Sequence, residues 1–340
     1  MFGHRAPRRK PAWPNSPCIR RRTLFNSPPL LVLVLAAVLL LAGASLLLAG
    51  CGSAANTTTT IAAAEGGFPV TIIDDDKASV TIKAKPMRIV STAPGSTEIL
   101  YALGLDDRIV GVTSLDDYPP QAAKVAKVGD FQVNSEAVMA LSPDLVVGYA
   151  GAEDALKPVK SAGASVIMLN PTTVDGIFTN ITTVGTATGA TGKAAELVAS
   201  IKAQIKQISD AAAASGTSPK VFYAVDNTLW TCGPGSFVDD MLKLAHVTNV
   251  ASSGATSAAV QAYYQFAPEQ LVASDPDIIL IPNTAYKSVD EFTSDARFAS
   301  LRAVKEGHVY LINDVVVTRP GPRIGDGLKT LVDLVHPGAL

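Results

Sequence analysis

The chain has 340 residues, with 28 Lys and Arg against 30 Asp and Glu and a formal charge of −2. At roughly 150 residues per domain, that length accommodates about two globular domains. An apolar fraction of 48% excludes a disordered chain, 17% charged and 6% aromatic residues argue against a basic nucleic-acid surface, and three cysteines are too few for a disulfide scaffold.

Charge is distributed unevenly along the chain. Residues 1–50 carry seven basic side chains (Arg5, Arg8, Arg9, Lys10, Arg20, Arg21, Arg22) and no acid, which leaves 21 basic against 30 acidic side chains, a net of −9, on the remainder. The basic stretch precedes an apolar run from Leu30 to Leu48 and then Ala49-Gly50-Cys51. That order of basic, apolar and small residues is a secretory signal. Leu48-Ala49-Gly50-Cys51 resembles the lipobox of bacterial lipoproteins, which implies cleavage before Cys51 and lipidation of that cysteine. A run of roughly 20 apolar residues can instead remain as an uncleaved span. Either way the protein is exported and tethered to the outer face of the cytoplasmic membrane, with Cys51 as the lipidation site in the first case. Residues 51–67, rich in Ala, Thr and Gly, read as a flexible tether.

The body follows in chain order. Phe68–Ile73 and Val80–Ile82 flank Asp74-Asp75-Asp76-Lys77 and predict a hairpin at the start of a first lobe spanning 68–190. Arg88–Ser91 predicts a strand, Pro94-Gly95-Ser96 a loop, and Thr97–Leu103 a helix. A glutamate, Glu136, then precedes Pro143-Asp144 by seven residues, and an apolar strand-like run follows. Residues 191–216 form a linker helix, because Leu197, Val198, Ile201, Ile205 and Ile208 recur every three or four positions on a polar background. A second lobe spans 217–340 and repeats the first. Pro234-Gly235-Ser236 answers Pro94-Gly95-Ser96, Glu269 and Pro276-Asp277 answer Glu136 and Pro143-Asp144, and Gly307–Asp314 answers Gly163–Asn170. Three landmarks in one order mark a duplicated unit. Short Val/Ile runs alternating with helices predict an α/β fold of two similar doubly wound lobes joined by the linker helix. Ligands of such sheets sit beyond the carboxyl ends of the strands, where the Pro-Gly-Ser loops fall.

Specific residues carry a family resemblance over Phe68–Pro337. RIVSTAPGSTEILYALGLDDRIVGVTSLDDYPP, VNSEAVMALSPDLVVG, FAPEQLVASDPDIILI and RPGPRIGDGLKTLVDLVHP resemble substrate-binding lipoproteins of ABC importers for cobalamin and iron–siderophore chelates. The resemblance implies two lobes that close only slightly on a ligand held between them, and delivery of that ligand to a membrane permease. Either Glu136 or Glu269 alone reads as a first-turn glutamate favoured by a helix dipole. Their equivalence across the repeat presents two negative points to a two-fold symmetric permease, and the resemblance implies the same docking role.

Phe131, Tyr149, Trp230, Tyr263 and Tyr264 stand near loops after predicted strands and are candidate ligand-binding residues. The resemblance matches the first four to aromatics that cradle a corrin ring, although Leu115 stands where such members have a tyrosine. Arg319 and Arg323 are candidates for an anionic chelate, or for surface pairing with Asp314 or Asp326. Glu98 reads as a structural acid at a helix start. The expected ligand is therefore a corrinoid, with a ferric siderophore or haem as the alternative, and the protein a monomer without a cofactor.

Other functions find little in the sequence. His246, His308 and His336 are dispersed without metal-ligand spacing, and Cys232 reads as a small buried hydrophobe. Neither a phosphate-binding glycine loop nor a G-x-S-x-G elbow is present. An extracytoplasmic α/β enzyme remains the competing class, for which no catalytic set assembles.

Overall fold

The computed structural model describes residues 67–253 and 262–340. The expected signal segment, Cys51 and nearly all of the expected tether lie outside the described residues. In the first lobe β1 (Val70–Ile73) and β2 (Ser79–Ile82) form an antiparallel hairpin. Asp74 in its turn accepts from the Ala78 amide at 2.8 Å and, through its other oxygen, from Met168, which ties the hairpin to the lobe.

There follow β3 (Ile89–Ser91), α1 (Pro94–Ala102), β4 (Ile109–Gly111), α2 (Ser135–Ala140), β5 (Leu145–Tyr149), α3 (Glu153–Ser161), β6 (Ser165–Leu169) and α4 (Val174–Thr188). Strands β4-β3-β5-β6 pair in that order and all run parallel. Gly189, at φ +73°, closes α4 in the left-handed conformation that a residue with a Cβ rarely adopts. The chain then turns into the linker helix α5 (Thr191–Ala214). Its 24 residues span about 36 Å at 1.5 Å each.

The second lobe comprises β7 (Lys220–Tyr223), β8 (Trp230–Cys232), α6 (Phe237–Leu244), β9 (Thr248–Asn249), α7 (Val250–Ser253), β10 (Tyr263–Gln265), α8 (Pro268–Ser274), β11 (Ile278–Pro282), α9 (Asp290–Thr293), α10 (Arg302–Glu306), β12 (Val309–Ile312), α11 (Asp314–Thr318) and α12 (Ile324–Val335). Its parallel sheet has the order β9-β7-β11-β12. In each lobe the second strand of the sheet pairs with the first, the first with the third, and the third with the fourth. The duplication read from the sequence is therefore a duplication of topology.

The recurring Pro-Asp has a physical cause. Asp144, just before β5, accepts from the backbone amides of Met87 and Arg88 at 2.8 and 3.0 Å, while its own amide donates to the Arg88 carbonyl. Asp277, just before β11, does the same to Lys220 at 2.7 Å. In both lobes this carboxylate pins the start of the third strand to the start of the first, and so sets the register at the centre of the sheet.

One apolar cluster runs through both lobes. Ile99, Leu145 and Ile177 of the first lobe, Ile201, Ile205 and Ile208 of α5, and Val221, Leu242 and Leu328 of the second belong to it. The linker stripe is thus part of the core, with Leu197 and Val198 half-buried at its edge. Cys232 lies in the same cluster, fully buried and unpaired. Strands β5 and β11 are covered on both faces, as unbroken apolar runs require. Among the described residues no helix is long and apolar enough to cross a membrane.

Candidate functional site

A cleft of about 660 Å³ opens where the carboxyl ends of the first lobe's strands meet the second lobe. The segment after β3 contributes Thr92 to Ser96, the loop after β4 contributes Ser114, Leu115 and Asp117, β5 ends in Tyr149, and β6 in Leu169. Asn180 reaches the wall from α4. The second lobe supplies Thr284 from the segment after β11, Val315 and Thr318 from α11, and Arg319 and Pro320 beyond it. Pro at the first turn of α1 suits a position whose amide has no helical partner. Thr284 donates to the buried Asp314 carboxylate at 3.0 Å; burial pushes Asp314 above its ordinary value, and its other oxygen has no partner.

The wall is mainly apolar, and its size lies within the roughly 300–1,000 Å³ of small-molecule sites. Its ionised side chains are Asp117, Asp130 and Arg319. The second copy of the Pro-Gly-Ser loop is not part of it among the described residues. There Ser236 caps α6 through its hydroxyl, 3.1 Å from the Asp239 amide.

The predicted ligand residues divide. Phe131, Tyr149 and Arg319 line the cleft. Trp230 is exposed at the start of β8, pairs with Gln265 of β10, and donates its backbone amide to Asp226 at 3.2 Å; it is not among the residues that line the described cleft. Tyr263 is half-buried in β10. Burial, then Cys232, then Tyr149 push its phenol well up, so Tyr149 of the first lobe and Tyr263 of the second lie within electrostatic reach of each other. Tyr264 turns the other way, because successive residues of a strand point to opposite faces. Its hydroxyl donates to the Ala251 carbonyl at 2.5 Å and its ring centroid lies 6.2 Å from that of Phe266, so it is a packing residue of the second lobe.

Arg323 is also placed differently from the sequence expectation. It does not reach the cleft wall, and neither arginine pairs with Asp314 or Asp326. Both converge on Glu98, whose side chain is only 1% exposed. Glu98 accepts from Arg319 at 3.1 Å and from two nitrogens of Arg323 at 2.6 and 2.9 Å. Arg319 donates also to Asp117 at 2.6 Å, and the Arg323 guanidinium lies 3.9 Å from the Tyr118 ring centroid, a cation–π contact. The hydrogen bond to Glu98, opposed by burial, raises Arg323 further. Two cations and two anions thus cancel across the lobe boundary. Glu98, read from the sequence as a helix-start acid, is an inter-lobe clasp. Its signal was asymmetry between the copies: an acid in the first with no counterpart in the second, and two arginines at the tail of the second.

The lobes touch at backbone level beside this clasp. A Cβ on Gly95 would lie 2.5 Å from the Pro320 carbonyl oxygen and 3.2 Å from its carbon, and a Cβ on the neighbouring Gly321 would lie 3.4 Å from the Gly95 Cα and carbonyl oxygen. Backbone cannot yield as a side-chain tip can, so Gly95→Ala is expected to cost about 1–3 kcal/mol, measured by urea denaturation; a change within experimental error would show the seam to be loose.

The clasp has a pH dependence. Partial burial raises the Asp117 carboxyl, but the hydrogen bond and charge of Arg319 outweigh it and hold the group below its ordinary value. A depressed carboxylate contributes stability above its unfolded pKa of about 4 and loses it as pH falls through the folded value. Asp117→Asn is therefore expected to reduce the loss of thermal stability between pH 5 and pH 3 (both values spanning the roughly carboxylate range), with the effect small because the side chain is 67% exposed.

Glu136 and Glu269 occupy equivalent places, each exposed in the first turn of the helix that precedes its lobe's third strand. Asn134 caps α2 by accepting from the Ala137 amide at 3.0 Å, and Pro268 opens α8. Among the described residues no three His, Cys, Asp or Glu side chains group to hold a metal ion.

Parallel sheets in two topologically identical lobes, a core-packed linker helix and a cleft between the lobes define a two-lobed binding protein. Residues 89–316 match the periplasmic binding protein family model, and the chain belongs to that family. It is 36% identical over 280 residues to the uncharacterized ABC transporter substrate-binding lipoprotein YvrC of Bacillus subtilis, covering 79% of this chain and 86% of that protein. It is 28% identical over 281 residues to a cobalamin-binding protein of Halobacterium salinarum, covering 79% and 74% respectively. Among solved structures, the periplasmic haem-binding protein RhuT of Roseiflexus sp. RS-1 in apo form aligns with a TM-score of 0.67 at 26% identity, over 74% of this chain and 99% of that one.

Proposed function

We propose that this protein is the extracytoplasmic, lipid-anchored solute-binding component of an ABC importer, and that it captures a corrinoid in the inter-lobe cleft. The observation that carries the ligand assignment is electrostatic. The two arginines that would attract an anionic chelate are already neutralised by Glu98 and Asp117, and Asp130 adds a negative charge to the wall. A broad neutral ligand with apolar faces meets such a wall without an unpaired charge, whereas an anionic one meets repulsion. Phe131 and Tyr149 offer ring faces, and Tyr263 stands close by.

The haem-binding relative supports a second reading, in which a tyrosine ligates iron. Burial raises both the Tyr149 and Tyr263 phenols, so both are neutral in the ligand-free protein. Delivery follows from Glu136 and Glu269, which offer equivalent negative points to a two-fold symmetric permease. The site is one for binding rather than catalysis.

Trp13 and Trp230 are the chain's two tryptophans, so a soluble form beginning at Glu65 carries Trp230 alone. Titration of that form with cyanocobalamin is expected to quench its fluorescence saturably, with calorimetry showing one site. Heat from haem or a ferric siderophore, and none from cyanocobalamin, would move the ligand to the iron chelates and retain the importer role. No binding of any of these would favour the enzyme class.

A further inference from the structure

One polar residue on the cleft wall has a buried oxygen that no described protein group satisfies. Asn180 lies in the middle of α4, its side chain lines the cleft, and the residue is 2% exposed. Its carbonyl oxygen is buried without a hydrogen-bond partner among the described residues. The threonines of the same helix behave differently. Thr179, Thr182, Thr186 and Thr188 each donate to the carbonyl four residues earlier, at 2.7–3.1 Å. Asn180 is flanked along the helix by the buried Ile177, Ile181 and Val184, where an apolar residue would pack without a desolvation penalty. A carboxamide has two donors and two acceptor sites, and a buried oxygen left without a protein partner on a cleft wall is placed to be satisfied by what the cleft holds.

Resting on the corrinoid reading above, we infer that Asn180 is a specificity-determining ligand contact, which pairs with a neutral primary amide on the ligand and ranks amide-bearing ligands above carboxylate-bearing ones. The complement of a carboxamide is a second carboxamide, since one N–H donates and one C=O accepts on each side. A carboxylate can accept from the Asn180 amide but has nothing to donate, so the buried Asn180 oxygen stays unsatisfied. It also brings a negative charge to a wall that carries Asp117 and Asp130 against the single Arg319. A corrin rim carries primary amides, whereas haem carries propionate carboxylates. Sites built to hydrogen-bond a group reject analogues lacking it more strongly than apolar sites do.

The test compares wild type with Asn180→Leu and Asn180→Ala by calorimetric titration with dicyanocobinamide, whose rim bears amides, and dicyanocobyrinic acid, whose rim bears carboxylates. Wild type is expected to favour dicyanocobinamide by about a hundredfold, and both variants to bind it about tenfold more weakly with the preference reduced to match. The thermal midpoint of ligand-free Asn180→Leu is expected to equal or exceed that of wild type, because a merely buried, structurally bonded asparagine would lower it. Binding of dicyanocobinamide by wild type with both variants within twofold overturns the inference alone. A lowered ligand-free midpoint in both variants overturns it too, by making Asn180 structural. Wild type that is blind to dicyanocobinamide while binding haem overturns the corrinoid reading itself, and this inference with it.

Discussion

Glu98→Ala is expected to lower the free energy of unfolding by about 3–5 kcal/mol, because it removes one partner from a buried ion network. The carboxylate is 1% exposed and accepts three hydrogen bonds from two guanidiniums that are themselves only 14% and 21% exposed. Without it, both cations stay largely desolvated. Asp117 still contacts Arg319 and acts on Arg323 through space, but it is largely exposed and makes no hydrogen bond to Arg323 among the described contacts, so it does not replace Glu98. The comparison that isolates the charge is the triple variant Glu98→Leu with Arg319→Met and Arg323→Met. Apolar replacement of a complete buried network is often neutral, so this variant is expected to recover much of the loss. Urea denaturation at constant m reads both. A loss below about 1 kcal/mol in Glu98→Ala would place the network in the energetic range of surface pairs and refute the clasp. Ligand affinity should also fall, since Arg319 and Pro320 form part of the cleft wall.

Glu136→Ala combined with Glu269→Ala is expected to abolish uptake of the ligand in cells while leaving its affinity in solution within a few-fold of wild type. Both carboxylates are exposed, and neither is on the cleft wall. Their loss therefore costs the fold little, whereas a partner with two basic pockets loses both points of register at once. Each single variant should retain partial uptake. Charge reversal at both positions should be no better than alanine. Equal loss of ligand affinity in the double variant would show that the two glutamates act on the cleft, and normal uptake would show that docking lies elsewhere.

Legibility in the sequence followed the range of the interaction. The Pro-Asp landmark was readable because Asp144 and Asp277 do the same local task in each lobe, pinning one strand start to another. The linker helix was readable because Ile201, Ile205 and Ile208 have to fall on one stripe to enter the shared core. Phe131 and Tyr149 were found as loop aromatics and do line the cleft. That Tyr264 packs on the second lobe was not readable, because composition cannot say what each of two neighbouring strand residues faces, and its contacts with Ala251 and Phe266 exist only in the folded lobe. Asn180 gave no signal, since a polar residue inside a helix reads as solvated unless the packing around it is known.

The sequence alone determined the repeat, the α/β lobes, the linker and the family, because periodic apolar patterns and short-range hydrogen-bonding residues are written within a few positions of where they act. The tertiary structure alone decided that Glu98 binds Arg323, 225 positions away, and that Gly95 meets Pro320 across the lobe boundary. Charges and close contacts depend on distance in space, and a duplicated chain that folds back on itself brings its two copies together only once both sheets and the helix between them are packed.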